Sequence, residues 1–529
     1  MSLATRHRLT LIALCTLMWL PALPVRTLWP TDEPRYALIA RDMAESGDYI
    51  VPIKRGEVYH SQPPLYLWLE VLSGKLLGGL GETAARLPSF LAAISCLLIV
   101  HGLATRLFGA GAGLACALVL ATDVRYLLSA QWAATDMLLC LFMTATLAAF
   151  HRAWSSGNRR WYFVMYAMAG LGTMTKGPVG FVLPGMVILC TLAASRDLRE
   201  VLRMRLPWGV LIVCAILAPW LLLFWRQAGA HQVANLAVKQ SFGRYVNAWN
   251  NIQPWYYFLW RFPLDFLPWF PFFAVALAAS AGHMVRESRA FLWSWFGVIF
   301  LFFSASTGKR GVYLLPLHPA AAILAGWVWH RAVKDPSWIG GEAFRWWLRW
   351  SRIGIGTMFA ALSAVLLSPL PWRAGFPADA RGAVLALGFV SLALGAAITL
   401  LSSGRAFHAI AGGTALLSLA GVLMLAPYEN RRQNVTTFSA SVAQHVPEGA
   451  TLGIVRERFE DLVFYSHRQA EAELRAGKRV TRWLSRPGTV YAVLDQPAFD
   501  ELKTGPQATW ELLDHQFLAG VEYFLIVKR

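Results

Sequence analysis

Apolar runs of about 20 residues recur through the first 426 positions, each long enough to cross a hydrocarbon core of about 30 Å. A chain that repeats this pattern so often folds as a polytopic helical membrane protein, because only closed backbone hydrogen bonding is tolerated in lipid. About thirteen spans are expected, near 8–25, 86–106, 110–124, 135–151, 161–175, 178–194, 209–226, 263–282, 289–305, 311–330, 353–371, 383–401 and 406–426. A hydrophobic fraction of 56% against 15% charged residues leaves little to build a soluble surface over this region. The 24 tryptophans suit lipid-facing and interfacial positions.

Charge then orients the spans. With a cytoplasmic N-terminus, the cytoplasmic connections hold Arg6 and Arg8; Arg106; Arg152, Arg159 and Arg160; Arg196, Arg199, Arg203 and Arg205; Arg286 and Arg289; Arg331, Lys334, Arg345, Arg349 and Arg352; and Arg405. Excess Lys and Arg on the inner side is what insertion favours. The net charge of +18 is therefore mostly topogenic, and no nucleic-acid partner is expected. Pro21, Pro24 and Arg26 follow the first apolar run in place of a small-residue cleavage site, so that run is expected to be a retained span. All six cysteines fall inside expected spans, which implies neither a disulfide framework nor a thiolate metal site.

Composition changes near residue 427. The stretches 451–455, 462–466, 489–495 and 523–527 are short apolar runs of strand length, and 436–445 and 497–502 read as helices. A membrane domain over 1–426 and a C-terminal α/β domain over 427–529 are expected, the latter outside the membrane with the long loops 30–86 and 227–261. Within the first loop, 37–46 and 65–77 mix apolar, aromatic and charged residues in the manner of helices lying in the headgroup plane.

On the outer side of this topology lie Asp32, Glu33, Arg35, Asp123, Arg125, Asp136, Lys176, Arg244, Lys309, Arg310, Tyr313 and His318. Carboxylates beside several cations suit attack by a hydroxyl or phosphate on a sugar attached to a phosphate. A carboxylate takes the proton, and the cations hold the departing phosphate. Structural readings stand beside these roles. Asp32 and Glu33 also suit a helix start, Asp136 a cap, and Arg35 and Arg41 snorkelling positions. Lys176 and Arg244 suit an interface anchor and a solvated loop, and His318 a packed histidine. Lys309 and Arg310 break the topogenic rule, which favours an anion-binding reading.

The run DEPRYALIARDMAESGDYIVP at 32–52, PPLYLW at 63–68 and ETAARLPS at 82–89 resembles the opening of the bacterial ArnT-like glycosyltransferases of the GT-C superfamily. ATDM at 134–137, TKGPVG at 175–180, FGRY at 242–245, PWYY at 254–257, FLPWF at 266–270 and KRGVYLLPLHPA at 309–320 follow in order. The resemblance implies a GT-C fold with about thirteen spans, and transfer of a sugar from undecaprenyl phosphate at the periplasmic face of the bacterial inner membrane, with inversion. It places Asp32, Glu33 and Asp136 in catalysis, with Asp32 activating the acceptor. It places Arg35, Lys176, Arg244, Lys309, Arg310 and Tyr313 around the donor phosphate. Lipid A, another glycolipid or a glycan would be the acceptor, and membrane lipids the surroundings.

Two departures bear on cofactors. Ser61 and Gln62 stand where the ArnT pattern has a Glu-Lys pair before the two prolines, and Ser241 stands near an expected histidine. Serine and glutamine are poor ligands for a divalent cation, so no metal is expected. Two other readings remain: a protein O-mannosyltransferase-like enzyme, and a lipid or sugar transporter without chemistry. The absence of repeated halves and of charges deep in mid-span argues against transport.

Overall fold

The computed structural model describes residues 2–30, 32–236, 251–335, 342–373, 378–455, 458–474, 478–504 and 510–529. The chain divides into two compact units. Met1–Ala22, His60–Tyr66 and Arg86–Gly421 form the first; Leu23–Tyr59, Leu67–Ala85 and Val422–Arg529 form the second.

The first unit is helical, and the expected apolar segments fall largely on helices. Among the described residues, eight helices are long and apolar enough to cross a membrane, and two bent pairs raise the count to ten. Leu3–Trp19, Arg160–Lys176 and Val179–Ser195 have 17 residues each. At 17 residues they lie at the short end of the lengths that cross a hydrocarbon core, so the count of ten leaves them out. Small residues let these helices approach closely. A methyl group added to Gly180 would lie 2.2 Å from the Gly172 carbonyl carbon, and one on Gly326 2.5 Å from Cys116 Cα.

Both bent pairs break at polar or proline-containing links. Ala110–Ala121 meets Val124–Ala130 at 70°, and Tyr257–Asp265 meets Phe270–His283 at 111°. The breaks satisfy one another: Val124 N–H donates to Leu267 O at 3.0 Å, and Trp269 Nε1 donates to Thr122 Oγ1 at 3.0 Å. Backbone freed by a break in a membrane segment persists only with such internal partners.

The second unit carries two sheets. β1 (Ile53–Lys54) and β2 (Glu57–Val58) form an antiparallel hairpin. Thr451–Val455, Ala472–Leu474, Val490–Asp495, Trp510–Leu518 and Val521–Lys528, here β3 to β7, form a mixed sheet in the order β4-β3-β5-β7-β6. β3 pairs parallel with β4 and β5, while β7 pairs antiparallel with β5 and β6. The β6–β7 turn passes through Ala519 and Gly520, both at positive φ, as tight hairpins require. The run 462–466, of strand length, lies instead in the helix Phe459–Ser466. Glu460 and Asp461 favour its N-terminus electrostatically, and His467 at φ 53° ends it. The helix Glu33–Ser46 belongs to this unit: Leu38 joins the core of the mixed sheet, and Arg41 donates to Phe464 O at 2.8 Å. The helix Leu65–Leu77 exposes Leu72, Leu76 and Leu77, as expected beside a lipid surface.

Candidate active site

In the second unit the acidic pair opens the helix Glu33–Ser46. Asp32 occupies the N-cap position, yet its side chain makes no capping bond; it pairs with Arg35 at 2.5 Å. It is 8% exposed. Glu33 is fully buried and takes both arms of Arg26, at 2.8 and 3.2 Å, together with the Trp29 N–H at 2.9 Å. Glu33 therefore anchors the start of the helix that presents Asp32 and Arg35. Pro34 inside the first turn costs no helical bond and fixes the entry angle.

Two further groups in this unit escaped sequence reasoning. Lys54 and Arg55, on the β1–β2 hairpin, reach Glu460 at 3.2 and 2.6 Å. Burial lowers the Lys54 pKa against the pull of Glu460, with Arg35 and Arg55 adding to the depression. Glu70 is fully buried, and neither carboxylate oxygen has a hydrogen-bond partner among the described residues. Burial, helped by Glu33, raises its pKa well above the usual carboxylate range. A single acid in the apolar LYLWLEVL stretch gives no sequence signal that it will point inward.

In the first unit three expected positions come together. Lys176 Nζ pairs with Asp136 Oδ1 at 2.5 Å and lies 5.5 Å from the centre of the Tyr313 ring. Asp136 sits in the first turn of the helix Thr135–Ser156, where a negative charge is favourable, while Ala134 takes the cap position. Lys176 ends the helix Arg160–Lys176, where a positive charge is favourable. Gly177 then adopts φ 77° and ψ −158°, a conformation open essentially to glycine alone, and Pro178 starts the next helix. The KGP triplet is thus a turn by necessity, and it fixes where the ammonium stands.

The stretch carrying Lys309, Arg310 and Tyr313 is held by its neighbours. Lys309 is buried, and its ammonium donates to Gln253 O at 3.1 Å and to Ser306 O. Its backbone N–H donates to Asn251 O at 2.9 Å. Much of the Lys309 charge therefore holds the loop. Arg310 is half-buried. Gly311 abuts an ion cluster in which Asp265 binds Arg125 at 2.6 Å and Arg261 at 3.0 Å. A methyl group at Gly311 would stand 2.7 Å from Asp265 Oδ2 and 2.8 Å from Arg261 Nε, so the close approach requires glycine. Asp123 caps the helix Val124–Ala130 by accepting from the Arg125 N–H, and its second oxygen bonds the His318 ring; both side chains are fully buried. Arg244 lies outside the described residues. Among the described residues no three His, Cys, Asp or Glu side chains gather in a way that would hold a metal ion.

The chain is similar to known proteins over much of its length. Residues 61–224 match the family model described as dolichyl-phosphate-mannose-protein mannosyltransferase. An undecaprenyl phosphate-alpha-4-amino-4-deoxy-L-arabinose arabinosyl transferase of Edwardsiella ictaluri is 30% identical over 379 residues, covering 69% of this chain and 65% of that protein. Its counterpart in Pectobacterium atrosepticum is 31% identical over 327 residues, covering 60% of this chain and 58% of that protein. The chain thus spans less than two thirds of the length of these curated relatives. The crystal structure of ArnT from Cupriavidus metallidurans bound to undecaprenyl phosphate aligns with a TM-score of 0.83 at 23% identity, covering 98% of each chain. An archaeal oligosaccharyltransferase from Archaeoglobus fulgidus aligns at 0.51 and 12% identity, over 93% of this chain and 69% of that one. In sequence over part of its length, and in fold over nearly all of it, the chain is similar to these arabinosyl transferases.

Proposed function

We propose that this protein is a membrane glycosyltransferase that moves a sugar from undecaprenyl phosphate to an envelope acceptor such as lipid A, another glycolipid or a glycan. The observation that carries the proposal is the meeting of Asp136, Lys176 and Tyr313, positions 177 residues apart at the extremes, at one ion pair beneath one aromatic ring. The relatives named for aminoarabinose transfer, and the related structure with undecaprenyl phosphate bound, support the donor class.

In the proposed reaction the acceptor hydroxyl oxygen bonds to the anomeric carbon while the bond from that carbon to the phosphate oxygen breaks on the opposite face. The configuration inverts, the hydroxyl proton passes to the Asp32 carboxylate, and undecaprenyl phosphate leaves with the bonding electrons. Arg35 orients Asp32, and Glu33 with Arg26 holds that helix start in place. Lys176, Arg244, Arg310 and Lys309 supply positive charge for the leaving phosphate, with Tyr313 packed against Lys176 and Asp136 setting its position. We assign the membrane catalytic part to 1–426 and a periplasmic domain to 427–529, with a cytoplasmic N-terminus in a bacterial inner membrane.

The family model matched by residues 61–224 favours one second reading, transfer to protein hydroxyls. One experiment addresses both: express wild type and Asp32→Asn in a deletion strain, then profile lipid A, glycolipids and glycoproteins by mass spectrometry. Loss of a general base lowers transfer by about 10²- to 10⁴-fold, so one sugar addition should vanish at equal protein level. If it vanishes from glycoproteins, the second reading holds; an unchanged profile with the variant overturns both.

A further inference from the structure

A groove of about 690 Å³ runs between the helices Val179–Ser195 and Arg286–Ala305 of the first unit. Three guanidinium groups, Arg196, Arg286 and Arg289, line it, and among the described residues no carboxylate does. The rest of the lining is apolar or small, including Trp293, Gly297 and Leu301. Arg286 gives two bonds to Ala194 O, at 2.9 and 3.2 Å, and Arg289 bonds Ala281 O. Each guanidinium carries five donors, so most remain for an anion. Arg196 ends its helix at φ 60°, a conformation uncommon outside glycine and asparagine.

Only 22% of the apolar window of Arg286–Ala305 is fully buried by the protein, so one side of the helix is left partly open, toward lipid. Gly297 has nothing within 4 Å of where a Cβ would stand, which leaves the apolar floor of the groove open. Cations at one end of an apolar channel on a lipid-facing surface match an amphiphile with an anionic head and a hydrocarbon tail. A planar guanidinium pairs with two phosphate oxygens at once.

We propose that this groove is a binding site for an anionic phospholipid, its phosphodiester held by Arg196, Arg286 and Arg289 and one acyl chain lying along Trp293, Gly297 and Leu301. The volume falls within the range of ordinary ligand sites. Basic pockets between membrane helices recognise anionic headgroups by this combination of charge and apolar contact. The site is independent of the transfer reaction and stands or falls separately from it.

The test uses the full chain purified in detergent with equimolar dioleoylphosphatidylglycerol and dioleoylphosphatidylcholine, with retained lipid counted by native mass spectrometry. Wild type should retain the anionic lipid over the zwitterionic one by on the order of tenfold. Joint replacement Arg196→Gln, Arg286→Gln and Arg289→Gln should bring the ratio close to one. Gly297→Leu fills the channel, favours helix, and leaves every arginine in place; it should displace the bound lipid without loss of folded protein. Equal retention of both lipids by wild type would overturn the proposal. So would undiminished retention in Gly297→Leu, or displacement of the lipid by millimolar inorganic phosphate alone.

Discussion

Glu70 is a carboxyl group outside the proposed reaction, and burial dominates its energetics, with Glu33 acting in the same direction. Both oxygens are sealed from solvent without a hydrogen-bond partner among the described residues. A buried, unsatisfied polar group costs about 1–3 kcal/mol, and an apolar side chain of similar shape removes that cost. Glu70→Met is therefore expected to stabilise the protein by about 1–3 kcal/mol. The gain depends on pH with a definite sign. A carboxyl whose folded pKa is raised binds more protons folded than unfolded, so its unfavourable contribution grows as pH rises above the unfolded value and up to the folded one. Melting temperatures of wild type and variant in detergent should diverge between pH 5 and pH 8, with the variant increasingly ahead. Parallel melting curves at both pH values would show that Glu70 is ionised or hydrated in the folded protein. Asp461 follows the same rule more mildly: burial pushes it up to about 6 against the attraction of Arg458.

At the scale of elements, the two broken helices depend on one buried carboxyl–imidazole hydrogen bond as well as on their mutual backbone bonds. Asp123 stands at one break and His318 opens the helix His318–Lys334, with Phe262 and Phe266 stacked edge-on against the imidazole at 5.8 and 5.7 Å. Removing one member of a fully buried hydrogen-bonded pair leaves the other unsatisfied, which costs about 1–3 kcal/mol. Asp123→Ala and His318→Ala should each lower stability by about that amount, and the double variant by clearly less than their sum. A double-mutant cycle read by denaturant unfolding in detergent checks this; strict additivity would mean the two side chains do not interact. The sequence made the local pieces of the site legible and the long-range ones illegible for the same reason. Gly177, Pro178 and Lys176 are contiguous, so their turn and its charge can be read from the triplet. Asp265 reaches Arg125 across 140 residues, and no spacing rule connects them. β6 has no strand signal in the sequence because its edge position leaves Glu511, Leu512 and His515 exposed, and the irregularity between Leu512 and Asp514 breaks the alternation of two.

For the molecule as a whole, apolar run length located the long apolar helices of the membrane part, but composition does not record where a helix ends. Leu3–Trp19, for example, ends at Trp19, six residues before the expected limit, where Pro21 and Pro24 interrupt the backbone. Orientation is a separate inference that rests on charge. Moving a Lys or Arg to the centre of a span costs about 2.5–3.5 kcal/mol, and excess cations are retained on the inner side during insertion. Arg152, Arg159 and Arg160 surround the turn after the helix Thr135–Ser156, whereas Asp42, Glu45 and Asp48 surround the end of Glu33–Ser46. Three expected spans separate these two turns, so they should lie on opposite sides of the membrane. Ser46 and Ser155 are both exposed and serve as markers. In a background without the native cysteines, Ser46→Cys should react with a membrane-impermeant maleimide in spheroplasts, and Ser155→Cys only after permeabilisation. The reverse pattern would place the acidic pair at Asp32 and Glu33 in the cytoplasm, where no acceptor of the outer envelope could reach it. Labelling of both would mean that an even number of segments between them crosses the bilayer, in which case the bent pair at Thr122 and Asp123 is the segment that turns back.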